Sequence, residues 1–192
     1  MSAMRPFPII PESPDALVGT NSTASTPDGR LLLLLPPASN CDLLISRTDL
    51  PVTLEDFESC LTLFGETGSL ENAIPESAGI SVVGDRFLVS WSTGKTLRCA
   101  TTSLPLRPGS EWDRSSLEFE GNTVIEQILT SKTDPVAVLY HETRSEPARS
   151  SLGVVLRVDG SLRAVQLCES TEGLFSPRGF CHPDGSLDLV WT

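Results

Sequence analysis

The sequence predicts an all-β protein: a β-propeller of about four repeats, each a four-stranded antiparallel blade, with the last blade incomplete. A β-sandwich is the alternative. Three observations predict it. An Asp-led phrase recurs at a nearly constant spacing, each phrase alternates apolar and polar residues, and short strand-like segments flank each phrase in the same order. Fifteen prolines and fourteen glycines in 192 residues suit a chain of frequent turns.

The phrases are Pro27-Asp28-Gly29-Arg30 before Leu31 to Leu35, Gly84-Asp85-Arg86 before Phe87 to Trp91, Thr133-Asp134 before Pro135 to Tyr140, and Pro183-Asp184-Gly185-Ser186 before Leu187 to Trp191. Their aspartates stand 57, 49 and 50 residues apart. A repeat of this length marks one supersecondary unit used several times. Within the phrases, Phe87, Val89 and Trp91 share one face, as do Val136, Val138 and Tyr140, and Leu187, Leu189 and Trp191. A period of two is a strand signal, since helix needs apolar residues three and four apart.

Each phrase has strand-like neighbours. Ile80 to Val83, Val124 to Leu129 and Arg178 to Cys181 come before; Cys41 to Ser46, Thr96 to Thr101 and Gly153 to Val158 come after. A fourth segment follows at Cys60 to Phe64, Leu117 to Phe119 and Leu162 to Leu167. Asp159-Gly160 carries the signal for a tight hairpin turn. Leu54 to Phe57 reads as a single helical turn. The blades are expected at approximately 17–64, 78–119, 122–168 and 175–192, with 1–16 as an N-terminal extension or closing strand. Pro6, Pro8 and Pro11 make that segment a poor ladder strand. Truncation of a longer protein, or completion of the last blade by another chain or a homo-oligomer, is therefore expected over self-closure.

The net charge of −11 argues against nucleic acid and against anionic membrane as partners. Twelve arginines and two lysines are scattered without a basic run. Cys41, Cys60, Cys99, Cys168 and Cys181 include no C-x-x-C pair, and His141 and His182 lie far apart, so neither a metal nor a cofactor is expected. Five cysteines cannot form a complete disulfide set, which points to a reducing compartment and tilts localisation toward the cytoplasm. The N-terminal residues lack the apolar core of a signal peptide.

The segments Ala78 to Ser92 with Thr96 to Thr102, and Ser176 to Thr192, resemble blades of the sialidase-like, BNR-repeat propellers. The resemblance covers most of residues 20–192. It implies an Asp box of the form S-x-D-x-G-x-T-W on a hairpin between outer strands of a blade. The nearest counterpart here, Pro105 to Trp112, keeps the Gly and the Trp but has Arg107 at the Asp position. The family's catalytic set implies a Tyr–Glu nucleophile pair. The single tyrosine here, Tyr140, occupies the position held by Trp91 and Trp191, so it reads as a packing residue and no catalytic residue is assigned.

Ligand contacts are expected on loops joining strand two to three and strand four to the next blade: 36–40, 92–95, 141–151, 65–77, 121–123 and 170–178. The charged run His141 to Arg149 is the main candidate. His141 exchanges a proton near neutral pH, and Arg144 or Arg149 grips a carboxylate or a sugar hydroxyl, with Glu142 between them. Glu76 and Arg178 complete the candidate ligand-binding set. Glu76, Glu142 and Glu172 are the carboxylates available for glycoside hydrolysis. Asp28, Asp85, Asp134 and Asp184 each open a turn and read as local caps. The expected function is a non-catalytic binding module that recognises a protein or carbohydrate ligand. The alternative is a fragment of a glycoside-acting, sialidase-like enzyme whose other catalytic residues lie outside this chain.

Overall fold

The computed structural model describes residues 22–35, 41–49, 53–64, 75–107, 109–130, 135–158, 160–173, 177–182, 184 and 186–191. They form an all-β protein of four antiparallel sheets, each built in sequence order. The first contains β1 (Thr23–Ser25), β2 (Leu31–Leu35), β3 (Cys41–Ser46) and β4 (Phe57–Phe64), with a 3-10 turn at Leu54–Asp56 before β4. The second contains β5 (Ser77–Val83), β6 (Arg86–Thr93), β7 (Thr96–Ser103) and β8 (Asp113–Glu118). The third contains β9 (Asn122–Thr130), β10 (Pro135–Ser145), β11 (Ala148–Val158) and β12 (Ser161–Ser170). Among the described residues the fourth sheet has two strands, β13 (Arg178–Cys181) and β14 (Leu187–Val190). No sheet closes on itself among these residues.

The alternating pattern sets which face of each sheet is buried, and against what. Phe87, Val89 and Trp91 point to the first sheet, where they meet Leu32, Leu34, Leu43 and Leu63. Leu88, on the opposite face of β6, joins Leu97 and Cys99 against Ile125, Val138, Tyr140 and Val155 of the third sheet. Leu139, Leu152 and Val154 then face Cys181, Leu187 and Leu189 of the fourth. Each fully buried leucine or isoleucine in these layers contributes about 2 kcal/mol. The first strands also meet in succession, β1 on β5, β5 on β9 and β9 on β13.

Tyr140 lies 3% exposed, with its ring 4.7 Å from that of Phe119. It stands over Gly153, its ladder partner, where any Cβ would run into the Tyr140 hydroxyl and the Val165 carbonyl. Trp91, at the matching position of the second sheet, is buried as well, whereas Trp191 is 41% exposed. Phe180 and Val190, on the face of the fourth sheet turned away from the third, are 61% and 68% exposed.

Beside this apolar layer, one side chain that imitates a strand ties the fourth sheet to the third. Gln127 Nε2 donates to Gly179 O at 3.1 Å, and Gly179 N donates to Gln127 Oε1 at 2.8 Å. The close approach needs a glycine, because a Cβ on residue 179 would lie 2.7 Å from a Leu129 methyl. Gln127→Ala leaves both backbone groups without partners, at about 1–3 kcal/mol each. Amide hydrogen exchange across β13 and β14 is expected to accelerate in this variant while β5 to β8 keep wild-type protection. Unchanged protection of Gly179 would show that the contact is dispensable.

Candidate functional site

The stretch His141 to Arg149 is not a loop. β10 runs to Ser145 and β11 starts at Ala148, so the connection is the two residues Glu146-Pro147. His141, Glu142, Arg144 and Arg149 are ladder residues, paired with Leu152, Ser151, Arg149 and Arg144. Strand geometry therefore splits the candidates. Neighbours on a strand point to opposite faces, so Glu142 and Arg144 share the Tyr140 face toward the second sheet and His141 lies on the other.

Glu142 is the one charged side chain among the described residues that is fully buried. Its carboxylate accepts four bonds: Gly121 N–H at 2.6 Å, Arg144 Nε at 3.1 Å, Arg144 Nη2 at 3.2 Å and the Ser151 hydroxyl at 3.2 Å. Burial pushes its pKa up, but the bonds from Arg144, Gly121 and Ser151 outweigh this and hold it below the usual carboxylate value. Gly121 lies so close to the Thr143 carbonyl that a Cβ would collide with it. Arg144 also pairs with Glu120 at 2.6 Å, and Arg149 pairs with Glu169 at 3.1 Å. Glu142, with both lone pairs of both oxygens engaged, has no capacity left for a substrate. It fastens the start of β9 to the β10–β11 hairpin.

On the opposite face, His141 meets a residue that the sequence reading did not single out. Glu126 is the extra residue of a β-bulge in β9, between Gln127 opposite Leu139 and Ile125 opposite Tyr140. Its Oε1 lies 3.9 Å from His141 Nδ1, too far for a hydrogen bond, with the two side chains 14% and 22% exposed. Burial raises the Glu126 pKa, and the charge of Arg178 opposes that rise. Burial lowers the His141 pKa, and its buried Nε2 has no hydrogen-bond partner. Both groups are thus biased toward their neutral forms. The structure brings Arg178 into electrostatic range of Glu126 and leaves Glu76 elsewhere, where it accepts from Gly94 N–H at 3.2 Å.

Two of the turn aspartates, Asp28 and Asp184, are local caps, whereas Asp85 takes part through its backbone carbonyl, which accepts from Leu104 N–H. Asp28 accepts from Thr26 and from Arg30 Nε, and Asp184 accepts from the Ser186 N–H at 3.0 Å and its hydroxyl at 2.7 Å. Asp134 and the loop residues 36–40 and 65–74 lie outside the described residues. Cys60, Cys99, Cys168 and Cys181 are free thiols on strands, and burial pushes Cys60 and Cys99 up to about 11, far from a nucleophile at neutral pH. No group of three or more metal-ligating side chains occurs among the described residues, and none of their helices is long and apolar enough to cross a membrane. No family model, curated protein or solved structure matches the chain.

Two predictions follow from these pKa directions. The Glu142 pKa is depressed in the folded state, so its stabilisation is complete above the unfolded value and is lost as pH falls through the folded one. Glu142→Ala should cost about 3 kcal/mol at neutral pH in chemical denaturation, with the deficit shrinking in acid. The Glu126 pKa is raised, so its ionisation opposes folding above the unfolded value. Glu126→Gln should therefore raise the melting temperature at neutral pH, and the gain should fade toward the pH at which the wild-type carboxyl is protonated in both states. A lower melting temperature in Glu126→Gln at neutral pH would contradict this assignment.

Proposed function

We propose that the chain forms consecutive blades of a β-propeller and acts as a non-catalytic module that binds a protein or a glycan. The surface is the end of the sheets bearing the 94–95 turn, the β10–β11 hairpin, the link 119–121 and residues 171–173. Support for the blade reading comes from three successive four-stranded sheets, each connected in sequence order and each laying its first strand on the first strand of the next. The resemblance to sialidase-like repeats agrees with the position of its Asp-box counterpart. That segment links β7 to β8, and Trp112 packs edge-on against Phe87 with ring centroids 6.0 Å apart.

The observation that carries the binding reading is the saturation of Glu142. The charged run that looked most like chemistry is spent on internal bonds, which leaves a rigid rim edged by the self-paired Arg144, Glu120, Arg149 and Glu169. Such a rim offers shape and paired charge to a ligand without a free acid or base. The fourth sheet extends the reading. Its β14 edge is unpaired among the described residues, and exposed Phe180 and Val190 suit the addition of strands from another chain.

A second reading, a fragment of a glycoside-acting enzyme, is favoured by Glu126, whose raised pKa is the property of a general acid. The two readings separate in one experiment. The chain is incubated with a panel of fluorogenic aryl glycosides, an α-sialoside among them, over about pH 5 to 7. The binding reading predicts no release above buffer and saturable retention on a glycan array or a protein ligand. Turnover that vanishes in Glu126→Gln would replace it with the second reading.

A further inference from the structure

The second and third sheets part at the end opposite the β10–β11 hairpin, where β6 begins and β11 finishes. The gap is a cleft of about 350 Å³, within the size range of small-molecule sites. Leu88 lines it from one side, and Val138, Val155 and Leu162 from the other.

Two guanidiniums stand at this cleft. Arg157, at the end of β11, reaches across to the second sheet, where Nη1 donates to Thr101 Oγ1 at 3.2 Å and Nη2 pairs with Asp113. These bonds fix its planar fork at the boundary between the sheets while leaving further N–H groups to donate. Arg86, at the start of β6, is exposed and enters none of the ion pairs among the described residues. Arg107, Arg114 and Arg163 likewise enter none of these ion pairs, and what sets Arg86 apart is its place in the wall of the cleft beside Arg157.

We propose that this cleft binds a small amphipathic carboxylate. The apolar body lies against Leu88, Val138, Val155 and Leu162, and the carboxylate meets Arg86 and the remaining donors of Arg157. Arginine forks match a carboxylate in geometry and charge. A wholly apolar ligand would leave both guanidiniums unused, a cation would be repelled by them, and a polyanion would face the acidic surface around only two cations. The site involves no residue of the rim described above and does not depend on its function.

The test is a titration of the isotope-labelled full chain with phenylbutyrate and, separately, with phenylbutanol, followed through backbone amide shifts. Phenylbutyrate should move the amides of Leu88, Thr101, Val138 and Val155 saturably, and the alcohol should bind about tenfold more weakly. Arg86→Gln is a surface change that should keep the wild-type melting temperature. It should lower carboxylate affinity about tenfold and leave the alcohol unaffected. No shifts at those amides, equal binding of acid and alcohol, or an Arg86→Gln variant that binds the acid normally would each overturn the proposal.

Discussion

The seating of the third sheet on the second centres on one buried hydrogen bond. The Ile125 N–H donates at 2.7 Å to the hydroxyl of Ser77, which in turn lies 2.7 Å from the Ser92 hydroxyl. Ser77 and Ser92 are both fully buried. β9 is the edge strand of the third sheet, so its N–H groups alternate between the β10 ladder and the outside. Beside the bulge at Glu126 the Ile125 N–H faces out, and the second sheet supplies its acceptor. The contact fixes both the distance and the register of β9 on β5, which apolar packing alone leaves loosely specified. Gln127 repeats the device one sheet further on, with the backbone of Gly179 as its partner.

The same bulge decides what the polar end of the third sheet does. By inserting one residue it turns Glu126 to the face of His141, while Glu142 and Arg144 remain on the Tyr140 face. One face then carries a saturated ion-pair lock and the other a desolvated Glu–His pair near the charge of Arg178. At the far end of the sheets the two sheets separate around a cleft between Arg86 and Arg157. Structure-forming bonds occupy one end of the third sheet, and unfilled space lies at the other.

The strands were legible wherever a buried face imposed a period of two, as in Phe87 to Trp91 and Leu187 to Val190. They were illegible where both faces turned polar. His141-Glu142-Thr143-Arg144-Ser145 has the composition of a loop, yet it continues the ladder, because the hairpin projects beyond the apolar layers and its polar side chains bond to one another. Glu126 was hidden for a different reason. Val124 to Leu129 keeps a strand composition, but the bulge shifts its alternation by one, and no single-sequence signal marks that shift. The cleft was hidden because it joins strands about seventy residues apart, visible only once sheets of this repeat stack on one another. Its trace in the sequence is an arginine at the same end of two strands, Arg86 and Arg157.

The measurement that tests this account most directly is the exchange rate of a single amide, that of Ile125, by hydrogen–deuterium exchange and NMR in the wild-type chain and in Ser77→Ala. The bond from Ile125 to Ser77 predicts slow exchange in the wild type, comparable with ladder amides of β10. It also predicts a selective acceleration at Ile125 when the hydroxyl is removed. Fast exchange of Ile125 in the wild type, or slow exchange that survives Ser77→Ala unchanged, would contradict the account and leave the second and third sheets joined by apolar contact and by the bonds at their two ends, Thr123 to Gly94 and Arg157 to Thr101 and Asp113.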